Sequence, residues 1–222
     1  MTFSRKLMLS AAVAAIFGAT MAAGGVAQAD EVASFKTKQA GDFLIRGRAI
    51  GVVPQEDTSD NTIGSGEAKV DNDYVPELDF SYFVTDNIAF ELIAATTKHD
   101  VKWQNPDVDL GSVNLLPPTL TLQYHFMPDQ RFSPYVGAGI NYTMFYNEKS
   151  GAANSIKYDD GFGYAFQAGF DYAISGPWSL NFDVKKVFLD TDVTADLGGP
   201  APAKADVDLD PWIFGVGVGY RF

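Results

Sequence analysis

No cysteine occurs among the 222 residues, so no disulfide framework holds this fold. Histidine is almost as scarce. His99 falls in a segment read as a loop and His125 at the turn end of a strand, and no serine-centred or metal-binding motif accompanies either. The pattern therefore offers no catalytic constellation, no cofactor site and no metal site. Positive charge is also short: 16 Lys and Arg stand against 28 Asp and Glu, a formal charge of −12 that repels nucleic acid. Beyond the first thirty residues there is no run of ~18 apolar residues, so no transmembrane helix is available there. Such a chain can cross a bilayer only as a closed barrel, because hydrocarbon leaves every unpaired backbone N–H and C=O unsatisfied.

What is present begins with a leader. Ser4, Arg5 and Lys6, an Ala-rich apolar run from Leu7 to Thr20, and a small-x-small site at Ala27-Gln28-Ala29 give the pattern of a secretory signal peptide over residues 1–29. Its apolar run is too short for a spanning anchor. Cleavage removes two basic residues and no acid, so the expected mature chain, residues 30–222, carries −14.

Residues 119–126 alternate Leu120, Leu122, Tyr124 and Phe126 with Thr119, Thr121, Gln123 and His125, the period of a two-faced strand. The same alternation runs through 212–222 to the last residue. Further segments at 43–53, 75–84, 88–97, 135–146, 162–174 and 178–189 bring the number to eight, near the ~9–11 residues a tilted strand needs to cross hydrocarbon. Short turns at 85–87, 127–133 and 175–177 contrast with long acidic loops at 54–74, 98–117, 147–160 and 190–208. The expected fold is all-β: an eight-stranded antiparallel up-and-down transmembrane β-barrel with short periplasmic turns and four long outside loops, in the outer membrane of a Gram-negative cell.

Alternation alone does not say which face is wet, since a soluble periplasmic ligand-binding barrel has the same period with its apolar face inward. Aromatics at strand ends on the apolar face, including Tyr82, Tyr124, Tyr142, Tyr164, Tyr172, Trp178, Trp212 and Tyr220, fit the interfacial girdles of a membrane barrel. The opposite face gathers Arg46, Arg48, Glu77, Asp79, Glu91, Asp171, Asp183 and Lys185 with Gln123, His125, Asn141 and Gln167. Eight strands leave room for side chains or one small ligand, so this set reads either as a packed polar plug or as the lining of a conduit.

Four segments carry a resemblance. They are Thr85-Asp86-Asn87-Ile88 with Glu91-Leu92-Ile93-Ala94-Ala95-Thr96; Leu116-Pro117-Pro118-Thr119-Leu120; Pro134-Tyr135-Val136-Gly137-Ala138-Gly139-Ile140-Asn141-Tyr142-Thr143; and Leu209-Asp210-Pro211-Trp212-Ile213-Phe214 with the closing Gly219-Tyr220-Arg221-Phe222. In order and spacing they resemble the OmpW family of outer-membrane proteins over most of the mature chain. The resemblance implies an eight-stranded barrel whose lumen passes or binds small hydrophobic molecules, with a lateral route through the barrel wall proposed for related transporters. It also implies a hydrophobic constriction between an apolar residue of the third strand and an aromatic of the seventh. These positions align with Ile93 and Lys185, so the aromatic is missing and an ion-paired or wetter level is expected there.

Other features carry less. The run Asp206-Val207-Asp208-Leu209-Asp210 lacks the glycine and distal glutamate of a calcium loop and reads as a solvated acidic segment. Glycines 137, 139, 215, 217 and 219 precede no helix and read as strand curvature and lumen space rather than a phosphate cradle. A terminal Phe222 on the apolar face resembles the signal read by the barrel-assembly machinery.

Two functions follow. One is a narrow channel or binding barrel that helps small hydrophobic molecules cross the lipopolysaccharide layer, with Trp103, Phe145 and Tyr146 meeting the ligand among the loops. The alternative is a structural or surface-recognition barrel whose acidic loops bind external partners. Complete pairing of the lumen charges would close the path; a cavity near Ile93 would favour transport.

Overall fold

A computed structural model describes residues 34–59, 67–104 and 107–222. The leader expected at 1–29 lies outside them. Eight strands close a barrel: β1 (Phe43–Val53), β2 (Asp73–Phe83), β3 (Ile88–Ala95), β4 (Thr119–His125), β5 (Phe132–Ser150), β6 (Gly161–Ser175), β7 (Trp178–Phe188) and β8 (Trp212–Arg221). Each pairs antiparallel with its neighbours in sequence, and β1 closes on β8 from Leu44↔Arg221 to Val53↔Trp212. Closure leaves no unpaired edge in the part that meets lipid.

The apolar face points outward. Phe80, Phe90, Leu92, Leu120, Leu122, Leu180 and Val216 stand exposed in a band around the barrel. Aromatic pairs rim it at both ends: Phe43–Tyr82 and Trp178–Tyr220 beside the short turns, at 4.8 and 4.9 Å, and Tyr142–Phe162 and Tyr164–Phe188 at the far end, both at 4.7 Å. An inward apolar face, as in a soluble barrel, is not this arrangement.

The four long connections are present, but much of their length is strand rather than irregular loop. Glu67–Val70, Thr97–Gln104, Val108–Leu116 and the upper part of β5 form one sheet above the band. Asp57–Ser59, Ser155–Tyr158, Asp190–Asp196 and Ala203–Asp208 form a second. Where the two sheets meet, side chains replace the ladder: Thr58 Oγ1 accepts from Ala68 N at 3.1 Å and Glu148 Oε1 from Tyr158 N at 3.0 Å.

The period of two continues through these extensions, but its sense inverts. In β3, Phe90 and Leu92 face out and Glu91 faces in. Seven residues on, Lys98, Asp100 and Lys102 face out, and His99, Val101 and Trp103 face in. Outside the apolar band the wall borders water, so its apolar side chains turn inward and pack together.

The ladder between the third and fourth strands has one interruption. Ile93 pairs with Thr119 and Thr97 with Leu115, while between them Pro117 and Pro118 carry no N–H to donate. This break lies just beyond Leu92↔Leu120, a lipid-facing pair.

Before β1, the chain crosses the short-turn rim and touches all three turns. Lys36 N donates to Gly176 O and Lys38 N to Pro128 O, both at 2.9 Å, and Ala40 N donates to Asp86 Oδ1 at 2.9 Å.

Candidate functional site

β1 carries Arg46 and Arg48 two residues apart, so strand pleating aims both guanidinium groups into the lumen. Arg46 Nη1 meets Asp79 at 3.0 Å and Glu91 at 3.2 Å, and Nη2 meets Asp171 at 2.9 Å. Arg48 Nη2 meets Glu91 at 2.7 Å and Asp79 at 3.0 Å, and Nη1 meets Glu77 at 2.9 Å. Lys185 holds Glu77 at 3.0 Å and Asp183 at 2.8 Å. Gln167 donates to Glu91 at 2.8 Å, and Tyr135 Oη donates to Asp183 at 2.7 Å. Space for the arginines comes from β8: Gly217 pairs with Arg48, and a Cβ there would meet Gly47 O at 2.2 Å and Arg48 Cγ at 2.8 Å.

The expected lumen charges are thus brought together and paired. Arg46, Asp79, Glu91 and Asp183 are fully buried, so side chains fill the lumen at this level. Buried ions are costly to desolvate, and the network offsets that cost by giving each charge several partners.

Lys38, from the rim segment, is a member that the sequence reading missed. Its Nζ meets Asp171 at 2.9 Å, Ser133 Oγ at 2.7 Å and His125 Nδ1 at 2.7 Å. A lysine donates only, so His125 Nδ1 accepts and Nε2 donates to Gln123 Oε1 at 3.1 Å. Burial brings the Lys38 ammonium down to about 8, although the Asp171 carboxylate pulls the other way. The excess of carboxylates over cations among the lumen residues is the one signal in the sequence that a further cation is needed.

Above this floor lies an apolar chamber. Glu77, Ile93, Asn141 and Lys185 border it below, and Val101, Trp103, Val113, Tyr158, Val193 and Val207 line its walls. Ile93 and the ion-paired Lys185 both border the chamber, so the level expected as a constriction is mixed. Asn141 donates to Thr119 Oγ1 at 2.8 Å and to Pro117 O at 3.2 Å, tying β5 to the proline interruption.

The three aromatics expected among the loops separate. Trp103 is not a loop residue; it is 2% exposed in the chamber wall. Phe145 also lines the chamber and stacks on Tyr158 at 5.5 Å. Tyr146 does not: the next residue on a strand points the other way, and it is exposed and hydrogen-bonded to Thr96. His99 lines the chamber and shares a hydrogen bond with the Asp71 carbonyl at 2.8 Å through Nδ1. Phe222 is exposed beside Tyr220, with its N–H donated to Phe43 O at 2.8 Å.

The chamber walls are not legible in the sequence as a site, because stretches this acidic have the composition of loops. The inverted alternation was the available signal: Thr191, Val193 and Ala195 between Asp190, Asp192 and Asp196, then Ala205 and Val207 between Lys204, Asp206 and Asp208.

Comparison with known proteins places this geometry. The OmpW family model matches residues 39–222. An outer-membrane protein of Sinorhizobium fredii, y4mB, is 42% identical over 99% of this chain and 98% of its own length. The dibenzothiophene metabolism operon protein PahQ of Pseudomonas aeruginosa is 31% identical over 72% of this chain and 77% of its own. The crystal structure of the outer-membrane protein OprG from Pseudomonas aeruginosa superposes with a TM-score of 0.80, at 34% identity, covering 85% of this chain and 99% of that one.

Proposed function

This chain belongs to the OmpW family of outer-membrane proteins, and we propose that it conducts small, mostly apolar molecules from the cell exterior through the lipopolysaccharide layer and into the membrane. The observation that carries the reading is the stacking of an open apolar chamber on a floor closed by ion pairs. A solute that enters the chamber has apolar walls around it and filled charge beneath it. Desolvating a path between those charges is far costlier than leaving sideways. The proline interruption supports such an exit, since Pro117 lines the chamber and the break lies at the border of the apolar band. The name of the relative PahQ, which refers to metabolism of an apolar heterocycle, agrees with this class of cargo.

In this account the floor residues Arg46, Arg48, Glu77, Asp79, Glu91, Asp171, Asp183 and Lys185 exclude ions and water, and Trp103 and Phe145 receive the solute. Residues 1–29 direct export, and Phe222 serves assembly. The test is Val113→Trp, which fills the chamber without touching the floor. In vesicles with lipopolysaccharide in the outer leaflet, transfer of a hydrophobic fluorescent probe should fall toward the protein-free rate. Unchanged transfer by a folded variant, as judged by a heat-dependent gel shift, counts against the chamber as the route.

A further inference from the structure

The chamber is apolar, but two buried hydrogen-bond donors on side chains that line it have no acceptor. Trp103 Nε1 and Tyr158 Oη are buried and have no hydrogen-bond partner among the described residues, and both side chains line the chamber. Trp103 sits on Thr97–Gln104 in one upper sheet and Tyr158 on Ser155–Tyr158 in the other, and the two belong to one cluster of buried side chains. An indole N–H can only donate. Burial, with the nearby Glu148 carboxylate, holds the Tyr158 phenol above its ordinary range, so it too keeps a proton to give. Buried tryptophan and tyrosine ordinarily find a partner for their polar ends, because a desolvated donor without an acceptor is costly.

Charge narrows what the acceptor can be. Lys185, at the chamber floor, is already held by Glu77 and Asp183, so it offers no lone cation to an incoming anion. Asp57, Asp190, Asp206 and Asp208 lie together on the outer wall, with Asp208 opposite both Asp57 and Asp190. A carboxylate would meet repulsion outside and an unpaired, desolvated position within.

We propose that the chamber selects uncharged, mostly apolar molecules bearing a carbonyl-type oxygen, which Trp103 and Tyr158 hold by donated hydrogen bonds. The inference rests on the transport reading above and deepens it, since an alkane would leave both donors unpaired.

Equilibrium dialysis against the refolded chain in lipid nanodiscs, with empty nanodiscs subtracted, tests it with three probes of equal chain length: decane, 2-decanone and decanoate. The ketone should bind roughly tenfold more tightly than decane, with decanoate weakest, and Trp103→Phe and Tyr158→Phe should each cut the ratio of ketone to decane binding about threefold. Equal binding of decane and 2-decanone by the unaltered chain, as expected where trapped water satisfies the donors, overturns the proposal and leaves the transport reading intact. So does an equal loss of both solutes in the two variants. Absence of binding by either neutral probe overturns both readings. If a variant fails the heat-shift check, the comparison of probes on the unaltered chain decides.

Discussion

Arg46 grips Asp171 through two parallel hydrogen bonds, Nε to Oδ1 at 3.0 Å and Nη2 to Oδ2 at 2.9 Å, across 125 residues of chain. The fork fastens β1 to β6 on the far side of the barrel, and both residues are buried. Removing one partner strands the other charge. Asp171→Asn should therefore lower stability by ~3–5 kcal/mol, read from urea unfolding in lipid vesicles. A loss of less than ~1 kcal/mol would mean that the pair behaves as a solvated one.

Lys38 gives a pH signature at the rim. Its folded-state proton affinity, lowered by burial to about 8, lies below the ordinary 10.5. Between these values the unfolded chain holds a proton that the folded chain has lost, so this group adds stability as pH rises through that window. Below about 8 the lysine is protonated in both states and its contribution is flat. Unfolding midpoints taken at intervals from pH 7 upward should show this rise in the unaltered chain and a smaller one in Lys38→Met. Parallel curves would contradict it.

How much was legible follows from what surrounds each strand. In the lipid band, side chains such as Leu120 and Leu122 face hydrocarbon while Thr121 and Gln123 face the lumen, and two chemically opposed surroundings write a plain period of two. The eight strands, their outward face and the lumen charges could be read from that. Above the band, Asp190, Asp192 and Asp206 face water, and their acidity disguised a strand as a loop. Lys38 was hidden for another reason. It lies outside any periodic segment and reaches Asp171 only through the fold.

Gly217 tests the packing of the floor. An added methyl there meets backbone of the neighbouring strand as well as the Arg48 stem, and backbone cannot swing aside. Gly217→Ala should destabilise by ~1–3 kcal/mol or more and reduce the heat-shifted fraction on refolding. Refolding with unchanged yield and midpoint would show that β1 and β8 can separate at little cost.

The wall interruption makes a distinct prediction. Replacing both Pro117 and Pro118 with Thr restores two N–H donors and a good strand former where the ladder breaks. Hydrophobic probe transfer should fall while the heat shift remains. Transfer at the original rate would place the exit elsewhere in the wall.

The proposed function requires a lumen shut to ions and a chamber that serves apolar solutes, and one preparation can test both. Ion leak and hydrophobic-probe transfer would be measured side by side in vesicles bearing the refolded barrel and lipopolysaccharide. Probe transfer should exceed that of protein-free vesicles, with ion leak at the protein-free level. Ion leak rising in proportion to barrel copies, with probe transfer unchanged from empty vesicles, would contradict it.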